Sequence, residues 1–257
     1  MTSQCFCVID TIFNEDCLLG MQRIPDGSVD MILCDLPYGT TQNKWDSVIP
    51  PDKLWAQFLR VTKQSAAIVL TASQPFTSAL VMSQPRLFKH EWIWQKNLGG
   101  NFGNTVREPM KEHEVVLVFS HGHWTYNRQM QERTGGGPSR ANYATCNEAT
   151  QERNYGAFGA YTRPTRPVLR VPSSVQKFNC ERGLHPTQKP VALFEYLVKT
   201  YTNKGETVLD NCMGSGTTAI ACLNTGRHYI GFETDPGYHA AALLRIETHS
   251  APEAIAA

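Results

Sequence analysis

The sequence predicts a doubly wound α/β fold with a mostly parallel sheet and an irregular basic insertion. Three observations carry that prediction. VDMILCD (29–35) and AAIVLTA (66–72) are apolar at nearly every position, the pattern of strands covered on both faces. Between them, PDKLWAQFLRVTK (51–63) has apolar residues at 54, 55, 58, 59 and 61, which is helical spacing. The stretch from Glu206 to Ile246 then reads as strand, glycine turn, helix, strand and helix, and such alternation builds parallel sheets.

Taken in order, CFCVI (5–9) is expected as the first strand, followed by a short helix from Asp16 to Arg23 and a PDGS turn at 25–28. The strand at 29–35, the helix at 51–63 and the strand at 66–72 follow. QPFTSALVMSQ (74–84) is a helix with proline in its first turn. KHEWIWQK (89–96) and HEVVLVFS (113–120) are aromatic and β-branched, so they read as strands, antiparallel near a sheet edge. Regular structure resumes with a helix at 190–202. It continues as a strand at 206–211, a helix at 216–225 closed by Gly226, a strand at 228–233 and a helix at 236–247.

From 121 to 182 the periodicity fades. Eight arginines and Lys177 fall between 128 and 182, interleaved with Trp124 and several tyrosines, and GGG and two R-P steps mark loops. The net charge of +1 conceals a split: residues 86–189 carry 15 Lys+Arg against 8 Asp+Glu, and the remainder 9 against 15. A basic insert on an acidic chain fits a polyanion partner; a solvated basic face is the alternative. A loop-rich segment this long inside a compact domain implies function or ordering by a partner.

Bulk properties narrow the classes. A length of 257 residues, 41% hydrophobic and 18% charged, suits one sizeable α/β domain with an insertion or two small domains. The apolar runs are too short to span a bilayer, and the first ten residues lack a basic n-region and a long apolar stretch, so no secretory signal is expected. The eight cysteines form no C-x-x-C pair, which argues against zinc. They read as small reduced hydrophobes in a cytosolic protein.

Two motifs point to chemistry. DNCMGSG joins a strand to a helix: Gly214 and Gly216 let the backbone approach a ligand closely, Ser215 lies between them, and the helix starting near Thr217 offers free N–H groups. Glu233 ends the next strand, where α/β nucleotide-binding folds place a carboxylate for ribose hydroxyls. The missing third glycine argues against a pyrophosphate and for a nucleoside without phosphate. The second motif, DLPYG (35–39), breaks a buried strand with an acid, a proline and an aromatic, a pattern suited to gripping a planar ring that carries an amine.

Asp35-Leu36-Pro37-Tyr38, then His185-Pro186-Thr187-Gln188-Lys189-Pro190, then Asp210 through Gly216 resemble, in this order, the amino-methyltransferases of DNA, and the order resembles their β class. The likeness covers about residues 10–120 and 183–247. It implies a Rossmann-like methyltransferase fold with circularly permuted motif order. Residues 1–120 and 183–257 would be the catalytic and cofactor-binding halves of one domain, and 121–182 a target-recognition insertion. It implies S-adenosylmethionine as cofactor, near the Gly214–Gly216 turn and the HPTQKP segment, with Thr187 and Lys189 on its carboxylate, Glu233 on its ribose, and Asp16 beside it. It implies double-stranded DNA as substrate and a homodimer as one assembly, in a bacterial or phage-infected cell, as in restriction-modification systems. Asp35 and the Leu36 carbonyl would accept the two N–H bonds of the target amine, and Tyr38 would stack on the extruded base.

Position 36 departs from the family's usual D-P-P-Y. Leucine keeps the carbonyl, and Pro37 still biases residue 36 to an extended backbone. Asp at position 35 tilts the target toward adenine N6; N4-cytosine relatives more often carry serine there. N4-cytosine, RNA and a protein amide stay open as alternative substrates. A non-catalytic DNA-binding relative would predict damage at Asp35 or Gly214, and both are intact. A dehydrogenase is opposed by the missing third glycine and by DLPY.

Overall fold

The computed structural model describes residues 9–39, 46–132, 145–146, 150–152, 156–158, 161–162, 169–181, 183 and 188–250. Strand β1 (Thr11–Phe13) leads into α1 (Cys17–Gly20) and a 3-10 turn at Met21–Arg23. Strand β2 (Val29–Asp35) is followed by α2 (Pro51–Val61), β3 (Thr62–Ala72) and α3 (Phe76–Ser83). Next come β4 (Phe88–Gly100) and β5 (Lys111–Phe119). Residues Arg128–Ser173 form a separate compact unit. Its short strands β6 (Gln131–Glu132), β7 (Thr145–Cys146), β8 (Thr150–Glu152), β9 (Gly156–Phe158), β10 (Tyr161–Thr162) and β11 (Leu169–Arg170) pair antiparallel as β6 with β11, β7 with β10 and β8 with β9. The larger unit resumes with β12 (Val175–Lys177), α4 (Val191–Tyr201), β13 (Thr207–Asp210), α5 (Thr217–Thr225), β14 (His228–Phe232) and α6 (Pro236–Ser250).

The larger unit is built on an eight-stranded sheet in the order β1-β14-β13-β2-β3-β5-β4-β12. Neighbours are parallel from β1 through β3. β5 runs antiparallel to both β3 and β4, and β12 runs parallel to β4. The mostly parallel, doubly wound α/β fold is therefore present, and the two aromatic strands form the expected antiparallel pair toward one side.

Period-two alternation explains why the central strands carry no polar face. Met31 and Leu33, Ala67 and Val69, and Val116 and Val118 point into one apolar cluster with Leu193, Phe194, Leu197 and Ala219 of α4 and α5. Ile32 and Cys34, Ile68 and Leu70, and Leu117 and Phe119 point into a second with Met21, Leu54, Trp55 and Phe58. Helices thus cover both faces, and the side chains of Met31–Cys34 and Ala66–Ala72 lose water on either side of the sheet. Phe58 is fully buried and touches Trp55 edge-on. Phe58→Ala is expected to lower the unfolding free energy by about 3–5 kcal/mol in chemical denaturation, because the emptied volume refills only in part.

One expectation falls mostly outside the described residues, and a second needs correction. The first described strand is Thr11–Phe13; residues 5–8 of the CFCVI segment lie outside the described residues, and Ile9 sits in a turn before that strand. The strand's position is set by pairing with β14, Thr11 opposite Ile230, which local composition does not encode. The irregular stretch is also not uniform from 121 to 182. Thr125 donates to the Ser65 carbonyl, Asn127 to the Thr200 carbonyl, and Val175–Lys177 pairs with β4, so both flanks belong to the larger unit.

The connections position the site. β13 passes through α5 to β14 on one side, while β2 passes through α2 to β3 on the other. α5 lies against one face and α2 against the other. β13 and β2 are adjacent and parallel, Leu209 opposite Ile32, so the crossovers diverge between them. A crevice opens at such a switch point beyond the carboxyl ends of the strands.

Candidate active site

The carboxyl ends of β2 and β13 bear Asp35 and Asp210, and both line one cavity of about 530 Å³. Asp35, Leu36, Pro37, Tyr38, Asp16, Lys189, Asp210, Gly214, Ser215, Thr217 and Glu233 all border it. The strand tip and the glycine turn, 175 residues apart from Asp35 to Asp210, thus meet at one rim of the sheet. His185 and Thr187 lie outside the described residues.

Asp35 sits at the center of a hydrogen-bond network. Its Oδ1 accepts from the Tyr38 hydroxyl at 2.7 Å and from the Thr71 hydroxyl, and its Oδ2 accepts from the Lys189 ammonium at 2.5 Å. The parallel register explains Thr71: it lies opposite Asp35 across β2 and β3. Pro37 offers no N–H to a further strand bond, so the backbone leaves the sheet there. Asp46 closes the turn by accepting from the Gly39 N–H at 2.8 Å. Leu36 is buried and joins the second apolar cluster, which accounts for an aliphatic side chain at that position. Tyr38 stacks on Phe76 with centroids 5.3 Å apart. Burial, then the negative charges of Asp35 and Glu114, push its phenol pKa well up, so the hydroxyl stays protonated and donates.

Lys189, expected beside the cofactor carboxylate, meets two carboxylates of the protein itself. Its side chain is 6% exposed, and its ammonium is shared between Asp35 and Glu114. A buried ammonium requires anionic acceptors, and the two nearest here come from β2 and β5. Burial alone would lower its pKa, but Asp35 and Glu114 outweigh that and raise it. Glu114 is opposed by burial in the same way, and Lys189 and Lys96 together hold it below the ordinary carboxylate range.

The glycine turn is braced from three sides. Gly214 and Gly216 have φ of +53° and +81°. A Cβ on Gly216 would come within 3.2 Å of Ala242, whereas one on Gly214 would meet open space. Gly214 donates its N–H to Glu233 Oε2 at 2.8 Å, and Asp235 donates to Glu233 Oε1 at 2.8 Å. Asp210 is spent on architecture: its oxygens accept from the Cys212 N–H at 3.0 Å and from the Thr218 hydroxyl. Burial raises its pKa to about 6 against those two bonds. Ser215 donates to Gln188 at 3.2 Å and Thr217 to the Lys189 carbonyl at 3.4 Å, so the end of the HPTQKP segment docks on the turn. Asp16 caps α1, its Oδ1 accepting from the N–H groups of Leu18 and Leu19.

Sequence reasoning missed Glu114, Lys96, Thr71, Phe76 and the thiols. Glu114 was visible as an acid at the polar start of an apolar strand, and Thr71 as a hydroxyl within one, but neither pattern names a partner. Cys17 and Cys212 border the cavity, and the Asn211 amide donates to both sulfurs at 3.6 and 3.3 Å. Burial pushes the Cys17 thiol up to about 12, so it is no thiolate nucleophile at neutral pH.

A cavity that joins a carboxylate and an aromatic to a glycine turn with an acid after it can hold a nucleoside-bearing ligand against a planar amine. The chain is 26% identical to the DNA adenine methyltransferase YhdJ of Escherichia coli strain K12 over 262 residues, covering 93% of this chain and 83% of that protein. Among solved structures it resembles the M1.HpyAVI–SAM complex, with a TM-score of 0.61, 24% identity and coverage of 91% of this chain and 98% of that one. It also resembles the cytosine-N4-specific PvuII DNA methyltransferase, with a TM-score of 0.64, 13% identity and coverage of 95% and 87%. A family model described as DNA methylase, for N6 and N4 enzymes, matches residues 29–244. The chain belongs to this DNA methylase family, the amino-methyltransferases of DNA.

Proposed function

We propose that this protein transfers a methyl group from S-adenosylmethionine to the exocyclic N6 of an adenine extruded from a specific sequence of duplex DNA, with the motif order of the β class. The observation that carries the reading is the shared cavity, bordered by Asp35 and Tyr38 on one strand tip and by Gly214 and Ser215 of the glycine turn on the next. YhdJ, by its name an adenine enzyme, supports adenine over cytosine. The chain's own Asp35 points the same way.

The residues present fit the cofactor. A Cβ at Gly214 would enter open space, so the backbone there leaves room for close approach. Glu233 and Asp16 supply carboxylates for hydroxyl and amino groups, and Phe232, Met213 and Ile49 supply apolar surface. Gly214, Ser215, Gly216 and Thr217 would hold it together with Asp16 and Glu233, and Thr187 of the HPTQKP segment completes the set. When bound, it supplies a methyl group already activated by a positive sulfur.

The chain supplies position. An adenine amine is a weak nucleophile because its lone pair is delocalised into the ring. Asp35 and the Leu36 carbonyl accept its two N–H bonds, favor a more pyramidal nitrogen and fix where its lone pair points. Tyr38 packs on the ring. Holding both reactants in one geometry supplies most of the acceleration. Extruding the base costs a few kcal/mol, which phosphate contacts from the arginines of residues 121–182 help offset.

The test is methyl transfer from labeled S-adenosylmethionine to unmethylated duplex DNA, with RNA and protein as parallel acceptors. Label recovered as N6-methyladenine supports the reading, and label confined to N4-methylcytosine, RNA or protein overturns it. Glu233→Ala is expected to weaken cofactor binding about 10- to 100-fold by calorimetry, since a carboxylate hydrogen bond contributes roughly 1.5–3 kcal/mol and the Gly214 N–H loses its acceptor.

A further inference from the structure

Asp35 is already engaged before any substrate arrives, with three donors on the roughly four acceptor positions of a carboxylate. Oδ1 receives Tyr38 and Thr71, and Oδ2 receives Lys189. The buried Lys189 ammonium cannot simply leave, because it would be stranded without an anion. A second acceptor lies within reach. Glu114 Oε1 is taken by Lys96, but Oε2 is buried, accepts no hydrogen bond from any described residue, and lies 3.4 Å from the Lys189 nitrogen. That is an ion-pair contact short of a hydrogen bond. Glu114, Lys96, Lys189 and Asp35 all border the same cavity. Burial alone would discharge Lys189 and Glu114, yet Asp35 and Glu114 raise the first pKa, and Lys189 and Lys96 lower the second, so both are charged at neutral pH.

We propose that Lys189 and Glu114 are positioning residues forming a two-acceptor switch: Lys189 holds the Asp35 carboxylate in the substrate-free enzyme, and its ammonium passes to Glu114 Oε2 when the target amine takes up Asp35 Oδ2. No covalent bond changes in this exchange. The ammonium keeps an anionic partner throughout, so Asp35 is released without leaving a buried charge unpaired. This rests on the reading that Asp35 holds the target amine.

The switch makes a prediction whose sign separates it from a structural role for Glu114. Glu114→Gln removes the second anionic acceptor and leaves Lys189 on Asp35. With labeled S-adenosylmethionine and unmethylated duplex DNA, both saturating, kcat is expected to fall about 10- to 100-fold, while KM for the cofactor stays within about twofold. Adding Lys189→Gln to that variant removes the ammonium that blocks Asp35, so the double variant is expected to be faster than Glu114→Gln alone, a non-additive result. A double variant at or below the single one overturns the switch, as does a rise in cofactor KM without loss of kcat. Asp35→Asn is run alongside. If it turns over like the wild type, the amine-holding role fails and the switch with it; if it is inactive while the double variant shows no recovery, the switch alone fails. Should Glu114→Gln not fold, Glu114→Asp withdraws the acceptor while keeping its charge. The same order is then required with and without Lys189→Gln.

Discussion

Asp35→Asn should lower the rate of methyl transfer by roughly 10²–10³-fold or more, the range seen when one preorganised polar group at a reacting center is removed. The substitution keeps size and shape but replaces an acceptor-only carboxylate with an amide that carries a donor. At least one of the donors now meeting Asp35, from Tyr38, Thr71 or Lys189, would then face an N–H₂ group. The target amine would meet one fewer acceptor. Cofactor binding should change little, because Asp35 makes no hydrogen bond to the Gly214–Gly216 turn or to Glu233; those are braced by Asp210, Gln188 and each other. The pair of measurements is single-turnover methyl transfer and calorimetric cofactor affinity. Ordinary turnover in the variant would remove the amine-holding role, and a matched loss of cofactor affinity would relocate Asp35 to the cofactor site.

Lys189→Ala should be the most destabilising single change at the site, by about 3–5 kcal/mol near neutral pH. Lys189 is buried between two carboxylates, and its removal leaves Asp35 and Glu114 facing each other with Lys96 as the remaining cation on Glu114. The pH dependence has a definite sign. In the wild type the Glu114 pKa is depressed, so its stabilising contribution is present above the unfolded-state value and lost as pH falls through the folded-state value. The Lys189 pKa is raised, so its contribution is complete below the unfolded-state value and lost only as pH rises through the folded one. Without Lys189, only Lys96 opposes burial at Glu114, so its pKa rises from the wild-type position and protonation relieves part of the cost. The deficit of the variant should therefore be largest at neutral pH and shrink as pH falls into the carboxylate range. Denaturant titrations of both proteins at several pH values measure it directly. A deficit that is constant with pH would show that the loss comes from packing and not from unpaired charge.

Much of the scaffold could be read before any coordinates. VDMILCD, PDKLWAQFLRV and TTAIACLNT form the strand and helices expected of them, because each carries its own periodicity: full burial on two faces, a wet and a dry helix face, and a glycine on either side of a helix. The strand at Thr11–Phe13 was not anticipated because its position depends on pairing with β14, more than 200 residues away. The irregular stretch was drawn too wide because the residues on its flanks are fastened by backbone bonds to β4, α4 and the start of β3, and such bonds carry no compositional mark.

For the site, the sequence alone determined the chemical types: an acid with a proline and a tyrosine, a two-glycine turn, an acid one strand later, and the order in which they come. Those features are local, since turn geometry and strand termination act over a few residues. Only the tertiary structure decided who meets whom. It put Thr71 and Lys189 on Asp35, gave Glu114 two lysines, and committed Asp210 to bracing its own turn. The reason is that a buried charge is governed by what shares its low-dielectric surroundings, and here those neighbors arrive from β2, β3, β4, β5 and the segment just before α4, brought to one rim by the order of strands in the sheet.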